Sequence, residues 1–156
     1  MPRLLAVDAG VRMGLAAFDG RGGLLWCRSR NYGTASRLRR AASGLLDSLP
    51  DLALVAVEGG GHLGEVWIRE AARRSVPGRH VSAETWREAL LPHRRRRDAA
   101  EAKRFAIELA RRVIALSGLK GVTSLRHDAA EAVCLGLWAA LDAGWLRPPP
   151  ELRLPI

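Results

Sequence analysis

Leu52-Ala53-Leu54-Val55-Ala56-Val57-Glu58 is the stretch that decides the fold. An uninterrupted apolar run closed by one carboxylate reads as a strand buried on both faces, with an acid at its carboxyl end. Upstream, Thr34 or Ser36 caps a helix reaching roughly Leu49, with Leu38, Ala41, Ala42, Leu45 and Leu46 at helical spacing. A strand entered through a helix is expected to lie parallel to an earlier one.

The earlier candidate is the run over residues 3–8, which also ends on an acid, Asp8. Gly10 eases a turn into a second strand over 13–18. Asp19-Gly20-Arg21-Gly22-Gly23 then turns the chain into a third strand over 24–28. Two tight connections make these three an antiparallel meander. Beyond Glu58, the pattern predicts a glycine loop, a helix over about 64–75, a short strand at 79–81 and a helix over 83–90 capped by Ser82. A basic loop over 92–97 follows. Asp98 starts a long helix to about Leu116, with Ala102, Ala106, Leu109, Ala110, Val113 and Ile114 inward, and a last helix spans about 127–143. The expected class is α/β: a mixed five-stranded sheet, antiparallel in strands 1–3 and parallel thereafter, with helices on both faces. Residues 1–146 form one expected domain and 147–156 a tail without an assignable role.

Composition narrows the partners. Lys and Arg number 25 against 16 Asp and Glu, a formal net charge of +9, and nearly all the cations are arginine. Such a field favours a polyanion; a GC-rich genome inflates arginine too, and composition alone leaves the two readings even. Cys27 and Cys134 lack a neighbouring Cys or His at ligand spacing, which argues against zinc and for two buried thiols in a reducing compartment. The amino-terminal apolar run is too short for a signal peptide, and no segment approaches a membrane span. The expectation is a cytoplasmic protein.

Four acids carry the chemistry. If strands 1 and 4 are parallel neighbours, Asp8 and Glu58 emerge at one sheet edge, where open α/β sheets bind ligands. Asp128 and Glu131 lie one helical turn apart at the start of the last helix, on a face that Leu135 and Trp138 continue into the core. Clustered carboxylates need a counter-charge, and hard divalent cations with oxygen ligands supply it. Asp128 alone also reads as an N-terminal helix charge. Asp8 and Glu58 are harder to explain as surface charges, since each ends a strand of buried residues.

Leu5-Ala6-Val7-Asp8-Ala9-Gly10 with Gly14-Leu15-Ala16, then Val55-Ala56-Val57-Glu58, then His127-Asp128-Ala129-Ala130-Glu131-Ala132 resemble, in order and spacing, the acidic motifs of the RuvC-type Holliday-junction resolvases. Ser82 to Leu90, with Trp86 and Arg87, is similar to the phage and organellar branch of that family. The resemblance covers roughly residues 3–144. It implies an RNase H-like fold and a homodimer that cuts four-way DNA junctions by paired symmetric nicks in recombination and repair. It implies Asp8, Glu58, Asp128 and Glu131 as ligands of two Mg²⁺ ions, with Mn²⁺ as a substitute. Three departures stand out: Glu131 where Asp is usual, Arg87 where Lys is expected, and a glycine loop after Glu58 without an aromatic wedge, for which Trp67 is the nearest substitute.

Arg94, Arg95, Arg96 and Arg97 form the densest charge run, expected to contact the DNA backbone together with Arg69, Arg73, Arg74 and Arg87. Lys103, at the margin of its helix's apolar face, either reaches the site to neutralise transition-state charge or lays its stem over the core with its amine in water. His127 reads as a ligand or a helix-cap residue, and His62 as a phosphate contact or an exposed loop histidine. Trp26, Trp86, Trp138 and Trp145 read as core or dimer contacts. The rival readings are a YqgF-like RNA-processing nuclease and a non-catalytic nucleic-acid-binding module of the same fold; an actin-type ATPase needs two such domains and a longer chain.

Overall fold

The computed structural model describes residues 1–155. Strands β1 (Arg3–Asp8), β2 (Met13–Asp19), β3 (Leu24–Arg30), β4 (Leu52–Glu58) and β5 (Gly78–His80) form one sheet in the order β3-β2-β1-β4-β5. β1 pairs antiparallel with β2, and β2 with β3, while β1–β4 and β4–β5 are parallel. The helices are α1 (Ala35–Asp47), α2 (His62–Arg73), α3 (Ala83–Leu90), α4 (Ala99–Leu116) and α5 (His127–Asp142). None is long and apolar enough to cross a membrane.

Alternation along the strands builds two cores. Leu4 and Ala6 of β1 face a layer containing Trp86, Phe105, Leu109 and Leu135, whereas Leu5 and Val7 face Leu38, Leu46 and Trp67. Thus α3, α4 and α5 cover one side of the sheet and α1 and α2 the other. α5 lies deepest, and nearly every residue from Asp128 to Ala140 is buried. A helix apolar all round is stable only in such a position. Its close approach to the sheet requires two glycines. A Cβ on Gly136 would stand 2.1 Å from the Phe18 ring, and one on Gly14 would stand 1.8 Å from the carbonyl oxygen of Asp128.

Helix starts follow side-chain capping: Thr34 accepts from the Arg37 amide, Ser82 from Thr85 and Asp98 from Ala100. Several boundaries differ from expectation by one or two residues. β3 continues to Arg30, α2 begins at His62 because Gly60 and Gly61 accept the first turn's amides, and β5 covers residues 78–80. The carboxyl-terminal segment also has a role. Pro150–Leu152 form a 3₁₀ turn whose Leu152 is buried in the α4–α5 core, and Arg112 donates to its carbonyl.

Candidate active site

The β1–β4 register pairs Asp8 with Glu58, and the β1–β2–β3 register continues that row through Gly14 to Ser29. Two acids are therefore neighbours at the carboxyl edge of two parallel strands. Gly14, in the same row, admits the first turn of α5, which brings its own acids over the sheet edge. Carboxylate oxygens of Asp8, Glu58 and Glu131 all lie within 4.8 Å of one another.

Asp128 stands beside this triad rather than within it. It is 3% exposed; its Oδ2 accepts from the Ser29 hydroxyl at 2.7 Å, and its Oδ1 is buried without a partner. An unpartnered buried carboxylate oxygen is costly and normally explained by a ligand. Burial, the charge and hydrogen bond of Glu58, and the charges of Glu131 and Asp128 together push the Asp8 carboxyl up to about 9. Without a cation the cluster holds a proton. Its donors are all oxygen, which suits a hard divalent ion.

Helix α3 supplies the other half of the site. The indole N–H of the buried Trp86 donates to Glu58 Oε1 at 2.5 Å, and Arg87 donates to Glu131 Oε1 at 2.6 Å. Adjacent residues of one helix thus hold two different acids. Sequence reasoning missed the donor roles of Trp86 and Ser29. A buried Trp needs a partner for its N–H, and that requirement was the available signal for Trp86; nothing along the chain pointed to Ser29.

The remaining expected site residues scatter. Lys103 is exposed on α4 and makes no ion pair among the described residues, so the cation at the acids is Arg87. His127 is exposed, as is His62 on the first turn of α2. Trp67 does not serve as a wedge: it is 0% exposed, with its N–H on the Met13 sulfur at 3.3 Å. Arg74 is no free phosphate contact either. Its guanidinium is taken up by Glu70, Asp47 and both oxygens of Ser43. Arg73 pairs with Glu70, and Arg95 pairs with Glu101 and Glu108 while lying over Phe105. Arg96 contacts His93 at 3.3 Å, whereas Arg69, Arg94 and Arg97 are exposed and unpaired among the described residues. Both cysteines are free thiols. Cys134 is buried with its thiol on the Ala106 carbonyl, and burial pushes both thiols up.

No family model and no curated protein matches the chain. Solved structures are similar to it, among them two junction resolvases. One is "T. thermophilus RuvC in complex with Holliday junction substrate", with 17% identity and a TM-score of 0.66 over 92% of this chain and 96% of that one. The other is the fowlpox virus Holliday junction resolvase, with 16% identity and a TM-score of 0.58 over 90% of this chain and 99% of that one. The order of strands, the two helical layers and the near-complete mutual coverage make this chain an RNase H-like fold of the form these two junction resolvases share.

Proposed function

We propose that this protein is a metal-dependent, structure-selective endonuclease that resolves four-way DNA junctions as a homodimer. Paired symmetric nicks would leave 5′-phosphate and 3′-hydroxyl ends. The observation that carries the reading is the acid cluster itself. Asp8, Glu58 and Glu131 converge from β1, β4 and α5, with Asp128 Oδ1 unpartnered beside them, in a chain of net charge +9. A protein that binds polyanions keeps such a cluster only where a cation joins it.

Asp8, Glu58 and Glu131, joined by Asp128, would hold Mg²⁺, with Mn²⁺ as substitute. When bound, the metal supplies an activated water and charge stabilisation at the phosphorus. The protein's own groups set the geometry. Trp86 fixes the rotamer of Glu58, Ser29 that of Asp128, and Arg87 that of Glu131. Such outer contacts keep ligand oxygens aimed at a common point. Arg87, 27% exposed, also brings a fixed positive charge to the edge where a scissile phosphate would lie. Exposed Arg69, Arg94 and Arg97 would contribute backbone contacts, and shape rather than base edges would select the junction. The setting would be the cytoplasm, on nucleoid DNA undergoing recombination or repair.

The test uses a labelled four-way junction and a matched linear duplex, each with Mg²⁺ and with chelator. Paired nicks in the junction alone, abolished by chelator and in Asp8→Ala, are expected, while Asp8→Ala still binds the junction. Nicking by Asp8→Ala, or cleavage of RNA in preference to the junction, would overturn the assignment.

A further inference from the structure

From Gly20 to Leu46 the chain contains six arginines (Arg21, Arg28, Arg30, Arg37, Arg39 and Arg40) and no acid. Two of them sit on β3, the edge strand of the sheet. β3 has two dissimilar faces. Cys27 packs into the α4–α5 core and Ser29 reaches Asp128, so this face is occupied by the fold and the site. The alternate residues Trp26, Arg28 and Arg30, followed by Tyr32, belong to the other face, where Trp26 and Tyr32 border the α1–α2 core and both arginines are exposed. The Arg28 guanidinium lies over the Trp26 ring at 4.1 Å from its centroid, a contact that restricts its motion and leaves its N–H groups without a protein acceptor among the described residues. Arg30 donates only to the neighbouring carbonyl of Ser29. Among the described residues neither arginine meets a carboxylate, in contrast to Arg74, Arg87 and Arg95.

Residues two apart on a strand stand roughly 7 Å from each other, a spacing comparable to that of consecutive phosphates on an extended strand. The end of β3 nearest Ser29 adjoins the acid cluster through the Asp8–Gly14–Ser29 row. We infer that Arg28 and Arg30 form a phosphate track along β3, contacting the backbone of the DNA strand that leads away from the acids. The same charges keep a foreign strand from pairing with this exposed edge. The inference rests on the nuclease reading and adds to it the path of the substrate on a flank opposite to the basic loop at residues 92–97.

The test is fluorescence anisotropy with a labelled four-way junction in chelator, across a series of salt concentrations. Removing one arginine–phosphate pairing lowers the steepness of log K against log salt by about 0.9. Arg28→Ala/Arg30→Ala is therefore expected to flatten the slope by about 1.8 and each single variant by half of that. The control, Arg21→Ala/Arg111→Ala, removes the same charge from the far turn and from exposed α4 and is expected to keep the wild-type slope. An unchanged slope in the β3 variant, or an equal flattening in the control, overturns the track while leaving the nuclease reading intact. Wild-type protein that binds neither junction nor duplex overturns both. Far-UV circular dichroism checks that the variants fold, which exposed arginines permit.

Discussion

Replacing Asp8 with Asn should make the metal-free protein more stable, although it removes a residue on which we place the chemistry. The Asp8 carboxyl ionises near 3.8 in an unfolded chain and is pushed up to about 9 in the folded one, chiefly by burial and then by Glu58. The folded state therefore holds a proton that the unfolded state gives up. A raised acid contributes stability that is fully present below pH 3.8 and is lost as the pH climbs towards 9. At pH 7 the loss has an upper bound of about 4 kcal/mol, at 1.36 kcal/mol for each unit between 3.8 and 7. Partial exposure of Asp8 and Glu58 lets water take up part of it, leaving roughly 2 kcal/mol. Asn keeps the shape and cannot ionise, so Asp8→Asn should raise the melting temperature by roughly 4–8 °C at pH 7 in chelator. The gap should shrink towards zero near pH 4 and widen towards pH 9. Thermal unfolding followed by circular dichroism at several pH values reads this directly. Mg²⁺ should raise the wild-type melting temperature and leave the variant nearly unmoved. A variant no more stable than wild type at pH 7 in chelator would refute the claim that the clustered acids destabilise the metal-free fold.

Trp86→Phe keeps the buried ring but removes the donor to Glu58. Calorimetric titration should show metal affinity falling roughly tenfold, with a melting temperature that changes little. Gly14→Ala drives a methyl group into the Asp128 carbonyl; it should cost about 3 kcal/mol, roughly 6–12 °C in melting temperature, and abolish junction cleavage by lifting α5 off the sheet. Arg74→Ala strips the buried Glu70 of one of its two arginines; a loss of about 2–3 kcal/mol in denaturant unfolding is expected, with junction affinity preserved. Retained stability would show that Glu70 is satisfied by Arg73 alone.

The acids were legible because Asp8 and Glu58 close uninterrupted apolar runs, while Asp128 and Glu131 open a strongly apolar helix. The runs closing on Asp8 and Glu58 have no reading except buried strands, and the helix between them forces the parallel register that makes the two acids neighbours. The i, i+3 spacing of Asp128 and Glu131 put both on α5's inner face, yet it did not separate them: only the packing of Ser29 against α5 sets Asp128 beside the triad. Ser29 itself was silent, since a serine on an edge strand has no pattern that distinguishes a hydroxyl reaching an acid 99 positions away from one in water. Trp67 misled because nearness to the glycine loop in sequence says nothing about direction. Its place on α2 turns it towards Met13 and the core. Leu152 lay in a proline-rich stretch with no period to reveal its burial.

The arginines show why charge counting stops short of function. A surplus of 25 cations over 16 acids is compatible with a free cationic surface, but the distribution of pairs decides where that surface lies. The densest cluster, at residues 94–97, is partly drawn inward: Arg95 bridges Glu101 and Glu108 and covers Phe105, holding the start of α4 to the loop before it. Arg74 likewise ties the end of α2 to α1 through Asp47 and Ser43, while pairing with Glu70 of the preceding turn. Both guanidiniums have their hydrogen-bonding capacity largely committed within the chain, and a phosphate would have to displace an acid to reach them. The segment from Gly20 to Leu46 has no acid to commit its arginines to, so its field faces outward undiminished. Density along the chain is thus a weaker guide to a polyanion's path than the local absence of the opposite charge, which leaves Arg28 and Arg30 on β3 free of carboxylate partners among the described residues.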